Sequence, residues 1–118
     1  MAKQDYQGGC QCGAVRYRVS VDLDRTFECN CSRCGRLGSI FAFTGADDFE
    51  LLSGEEALGE YRFNTKTIAH LFCTICGIES FARGEKPGSG PTVAINARCL
   101  DGVDPSALQP SHVDGLSA

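Results

Sequence analysis

Residues 8–22 read GGCQCGAVRYRVSVD, a cysteine pair running into an alternating apolar segment. Val15, Tyr17, Val19 and Val21 alternate with Arg16, Arg18 and Ser20. Successive side chains of an extended chain point to opposite faces, so residues 14–22 predict an antiparallel strand with one buried and one solvated face. Two cysteines, Cys10 and Cys12, stand just before it, framed by Gly8-Gly9 and Gly13.

Working outward, the same kind of short segment recurs between turn signals. Residues 26–29, 40–44, 49–53, 60–64, 67–73, 78–82 and 92–97 each predict a strand. Gly45-Ala46-Asp47-Asp48 and Asn64-Thr65-Lys66 predict turns, and KPGSGP at 86–91 a loop. Residues 55–58 have room for one helical turn between Gly54 and Gly59. The polar, glycine-containing stretch CNCSRCGRLGS at 29–39 reads as a loop. Many short strands and almost no helical periodicity place the chain in the all-β class, as short antiparallel sheets. Phe27, Phe41, Phe43, Phe49, Phe63, Phe72 and Phe81 are expected in its core. His70 is expected to be packed or hydrogen-bonded, and His112 inert. Residues 1–104 read as one domain, and 105–118, with no Lys or Arg, as a C-terminal surface tail.

Composition narrows the function. The chain has 118 residues, a net charge of −4 and 11 scattered Lys and Arg, which argues against a nucleic-acid partner. Its longest apolar run, Ile40 to Phe43, is far too short for a bilayer. Residues 1–9 lack the apolar core of a secretory signal, so a cytoplasmic address is expected. Eight cysteines are the anomaly.

They fall as Cys10-x-Cys12, Cys29-x-Cys31-x-x-Cys34 and Cys73-x-x-Cys76, with Cys99 alone. Disulfides between such close neighbours would close tiny loops and remove little chain entropy, and a reducing cytosol opposes them. Metal ligation wants this clustering instead: at a Zn–S distance of about 2.3 Å, tetrahedral thiolates lie about 3.8 Å apart. Cys10, Cys12, Cys73 and Cys76 supply the ligand count of a closed structural zinc site. Cys29, Cys31 and Cys34 supply three ligands and an open position, the pattern of a reactive zinc site whose ion can be labile. Arg33 and Arg36 beside them suit the carboxylates of an anionic substrate, or offset thiolate charge, or are simply solvated. Three readings of the triplet stay open beside the reactive one: a structural site completed by Cys99, an iron–sulfur cluster on the same four residues, and a redox disulfide within Cys31-x-x-Cys34. Cys99 itself reads first as a buried small hydrophobe.

In order along the chain, GGCQCGAVRYRV, CNCSRCGRLG, EYRFNT, AHLFCTICGIESF and NARCLDGVD resemble the glutathione-dependent formaldehyde-activating enzyme family, whose relatives include the centromere protein V group. The resemblance covers about residues 6–104 and implies a small Mss4-like, zinc-bound β domain. By position it implies a structural zinc on Cys10, Cys12, Cys73 and Cys76, and catalytic roles for Cys29, Cys31 and Cys34. The implied reaction is zinc-dependent carbon–sulfur lyase or synthase chemistry, joining a thiol such as glutathione to a small aldehyde. Three thiolates outweigh the charge of one zinc ion, which favours thiolate delivery over activation of water. This chain resembles the short members, which lack the terminal extensions of the namesake enzyme, so its thiol and aldehyde are not set by the resemblance. The alternative is a non-catalytic zinc module that binds a protein partner; a homo-oligomer is open in either case.

Overall fold

Val15, Tyr17, Val19 and Val21 are at most 1% exposed, as their alternation requires. The structure is a computed structural model that describes residues 3–62, 68–86, 88 and 90–115. Its strands are β1 (Gln4–Gly9), β2 (Arg16–Val21), β3 (Phe27–Cys29), β4 (Phe41–Gly45), β5 (Phe49–Ser53), β6 (Leu58–Tyr61), β7 (Ala69–Cys73), β8 (Phe81–Lys86), β9 (Gly90–Asn96) and β10 (Ser111–Val113). One four-residue helix, α1 (Cys34–Leu37), lies within the 29–39 stretch. The all-β expectation holds.

The strands form two sheets. The smaller has the order β1-β2-β5, and the larger β10-β3-β4-β9-β8-β7-β6. Every described pairing is antiparallel except β10 with β3, which is parallel. The inward face of β2 joins Ala42, Phe81, Val93 and Ile95 of the larger sheet in one apolar cluster. Three rings lock the sheets together: Tyr17–Phe49 at 5.1 Å, Tyr17–Phe81 at 5.6 Å and Phe49–Phe81 at 4.7 Å between centroids. Aromatic packing of this kind adds stabilisation beyond the area it buries.

Several expectations need adjustment. Phe43 is 53% exposed, because the pleat of β4 that buries Ala42 and Thr44 turns Phe43 to the outer face. Phe27, Phe49 and Phe72 are half-buried, and Phe63 lies outside the described residues, as does the turn at 64–66. The strand expected over 78–82 begins only at Phe81. Its first residues spend their backbone groups elsewhere: Cys73 N–H donates to the Ile78 carbonyl (3.0 Å) and the Asn96 side-chain amide to that of Glu79 (3.2 Å). The single helical turn is present at Glu55–Ala57. β1 and β10 carry no apolar alternation that would announce them. β10 is held through backbone bonds, Ser111 N–H to the Thr26 carbonyl (2.9 Å) and Asn30 N–H to that of Val113 (3.2 Å), while its side chains are exposed. No helix among the described residues is long and apolar enough to cross a membrane.

Candidate metal centres

The first cysteine group is assembled from both sheets. Cys10 follows β1 and Cys12 lies in the β1–β2 connection, whereas Cys73 ends β7 and Cys76 sits in the turn beyond it. Their four sulfurs lie within 4.8 Å of one another, with Cys10–Cys12 at 3.6 Å and Cys12–Cys73 at 3.7 Å. Those edges match the roughly 3.8 Å expected of thiolates around one tetrahedral ion. Backbone N–H groups point at the sulfurs, from Val15 to Cys10 (3.3 Å) and from Ile75 to Cys73 (3.4 Å). The Cys73-x-x-Cys76 turn closes through Gly77 N–H to the Cys73 carbonyl (2.8 Å), with Gly77 at φ +83°, a conformation that glycine adopts without steric cost.

The second group comes from one loop. Cys29 ends β3, Cys31 is in the turn and Cys34 opens α1, and their sulfurs again lie within 4.8 Å. The N–H of Cys31 donates to Cys29 Sγ (3.4 Å) and that of Cys34 to Cys31 Sγ (3.3 Å). α1 is therefore a ligand turn with a Gly38 cap, whose N–H reaches the Cys34 carbonyl (2.9 Å). Gly115 packs directly against this loop: a Cβ there would fall 2.7 Å from Cys29 Sγ and 3.0 Å from the Cys31 Cβ. Among the described residues no fourth Cys, His, Asp or Glu joins the group. Cys99 does not complete it; its thiol instead lies 3.9 Å from the Glu79 carbonyl, and burial pushes it up to about 11.

Crowding shapes the protonation of both groups. The Cys12 N–H, then that of Ile78, pulls the Cys76 thiol down to about 6. Cys12 is lowered by the Ala14 N–H but is pushed up overall to about 11 by burial and by its neighbouring thiols. Burial and then Cys31 push Cys34 up to about 12. Thiolates this close cannot all ionise without a compensating charge. A dication at the centre of each group would supply that charge, so both donor sets fit a thiolate-bound metal ion.

The family model for glutathione-dependent formaldehyde-activating enzyme matches residues 5–114. The chain belongs to that family. A Rhodobacter sphaeroides protein of known crystal structure is 32% identical, with a TM-score of 0.80, covering 90% of this chain and 97% of the other. The family match runs to residue 114 and so includes β10.

The two arginines expected beside the second cysteine group diverge. Arg33 turns inward to Glu79, with Nη2–Oε1 at 2.5 Å, and its guanidinium lies 4.7 Å from the Tyr61 ring centroid. Arg36 is exposed and donates from Nη1 to the Ser32 carbonyl (2.8 Å). His70 is buried, with Nδ1 3.5 Å from the other Glu79 oxygen. Glu79, its side chain 2% exposed, is the residue that reading the sequence overlooks. Its one signal was a lone acid in CGIESF, directly after a metal turn and before the deeply buried Phe81.

Proposed function

We propose that this chain is a zinc-dependent carbon–sulfur lyase or synthase that adds a thiol, glutathione or a similar one, to a small aldehyde. The observation that carries this reading is the contrast between a four-thiol group joining two sheets and a three-thiol group at a loop. On this reading Cys10, Cys12, Cys73 and Cys76 hold a structural zinc ion, and Cys29, Cys31 and Cys34 hold a second one. Bound there, zinc supplies an open coordination position that keeps a substrate sulfur as thiolate.

The chain's own residues supply the rest. The Cys31 and Cys34 N–H groups fix the orientation of the ligating sulfurs through their bonds to Cys29 and Cys31. Arg36, exposed on α1, is a cation available to a substrate carboxylate, whereas the charge of Arg33 is already met by Glu79. In the net reaction the S–H bond breaks and a C–S bond forms. The carbonyl π pair becomes an O–H bond, its proton replacing the one lost from sulfur. Exchange NMR of glutathione with formaldehyde tests this: the protein is expected to accelerate exchange, and Cys31→Ser to abolish the acceleration. Unchanged exchange with wild type would refute the glutathione reading.

A second reading, a zinc-binding module that docks a protein, draws on one feature. A groove of about 720 Å³ on the outer face of the larger sheet is lined by Phe27, Phe43, Ile68, Ala82 and Ala94 among others. It predicts partner binding that Phe43→Ser weakens and Cys31→Ser leaves alone.

A further inference from the structure

A buried carboxylate stands between the two cysteine groups, and neither ligand set uses it. Glu79 lies three residues beyond Cys76, in the segment that runs from the first group into β8. Its backbone is anchored: its carbonyl accepts from the Asn96 amide (3.2 Å), and the next carbonyl, of Ser80, accepts from the Asn96 N–H (3.0 Å). From there its side chain crosses to Arg33, at 2.5 Å. Arg33 is flanked by Ser32 and Cys34, and its carbonyl accepts from the N–H groups of Arg36 (3.1 Å) and Leu37 (2.9 Å) in the ligand turn. A position fixed at Cys76 is thus passed through three residues of backbone and one ion pair to the turn carrying Cys31 and Cys34.

An ion pair with one partner at 2% exposure is costly to desolvate and is a poor device for stability alone. It is directional, however, and holds one arginine in one place. We propose that Glu79 is a positioning residue that couples the two sites. Filling the first group with metal orders residues 73–80, which seats Glu79 against Arg33 and presets the Cys31–Cys34 turn for its own ion. This inference rests on the reading that both groups take metal. Because coupling between binding sites is reciprocal, an ion at the second site likewise tightens the first.

The test is graded chelation of the cadmium-loaded full chain, followed by cadmium NMR, in which four-sulfur and three-sulfur sites resonate apart. Outer residues that orient ligands typically change metal affinity about 10–100-fold. Glu79→Gln is therefore expected to release the three-sulfur ion at about 10–100-fold less chelator, with the four-sulfur ion changed far less. Weakening the first site with Cys12→Ser is expected to loosen the second ion in the wild-type background but not beside Glu79→Gln, the non-additivity that marks coupling. Should Glu79→Gln fold poorly, Arg33→Met with Glu79→Met removes both buried charges. That double variant is expected to regain stability while its second site stays weak. Equal second-site affinity in wild type and Glu79→Gln overturns the coupling and leaves the proposed function standing, as does recovery of full affinity in the double variant. A wild-type chain that binds only one ion overturns both.

Discussion

The Tyr17 hydroxyl donates a hydrogen bond of 3.1 Å to the Ser80 carbonyl. This bond ties the middle strand of the smaller sheet to the segment leaving the first cysteine group. It also satisfies the one polar atom of a side chain that is otherwise entirely buried. Burial, and then the nearby Cys99 thiol, raises the Tyr17 phenol well above its ordinary value of 10.0.

Tyr17→Phe is expected to cost about 1 kcal/mol at neutral pH, the usual net worth of a hydrogen bond. The folded state holds the phenol proton more tightly than the unfolded state does. The Tyr17 contribution is therefore complete below pH 10.0 and is lost as pH climbs toward the raised folded value. Denaturant titrations between neutral and strongly alkaline pH check this: the gap between wild type and Tyr17→Phe is expected to shrink as pH rises.

Phe43 and Phe81 are identical residues with opposite expected costs. Phe81 is 0% exposed and Phe43 is 53% exposed. Phe81→Ala is expected to destabilise by about 3–5 kcal/mol, from lost transfer energy and the cavity left behind. Phe43→Ala is expected to cost less than about 1 kcal/mol. Urea midpoints of the two variants, measured side by side, decide it.

Gly115→Ala puts a methyl group 2.7 Å from Cys29 Sγ. The proposed second metal site is expected to lose about 10-fold in affinity. The unfolding midpoint is expected to move little, because β10 is a three-residue edge strand with exposed side chains. Cadmium titration and a thermal melt on the same sample separate the two effects.

Metal removal is expected to loosen the join between the sheets, since Cys10 and Cys12 follow β1 of one, while Cys73 ends β7 of the other and Cys76 follows it. Each kcal/mol lost lowers the thermal midpoint of a domain this size by about 4 °C. Exhaustive chelation under reducing conditions is expected to lower it by more than about 10 °C, because metal binding is folding free energy. Hydrogen exchange is expected to rise first at the Cys10 and Cys73 amides, which are bonded to the Val15 and Ile78 carbonyls.

The legible parts of this protein were those written in local spacing. The alternation over 14–22 gives β2 and its buried face, because strand periodicity is a property of neighbouring residues. The grouping of the cysteines marks both candidate metal centres for the same reason: i, i+2 and i, i+3 thiols converge within one turn. For Phe43 composition favours burial, whereas the register of β4 against β9 decides which face it takes.

What sequence alone determined, then, is the all-β class, the two sets of thiols and the family. Most contacts between distant positions, in contrast, are set by the way the strands assemble. Arg33 meets Glu79 over 46 positions. Cys99 stays apart from the second group, and residues 111–113 return to β3. Such contacts follow from the order in which strands join a sheet and from backbone hydrogen bonds, which are the same for every residue type except proline and leave little mark in local pattern.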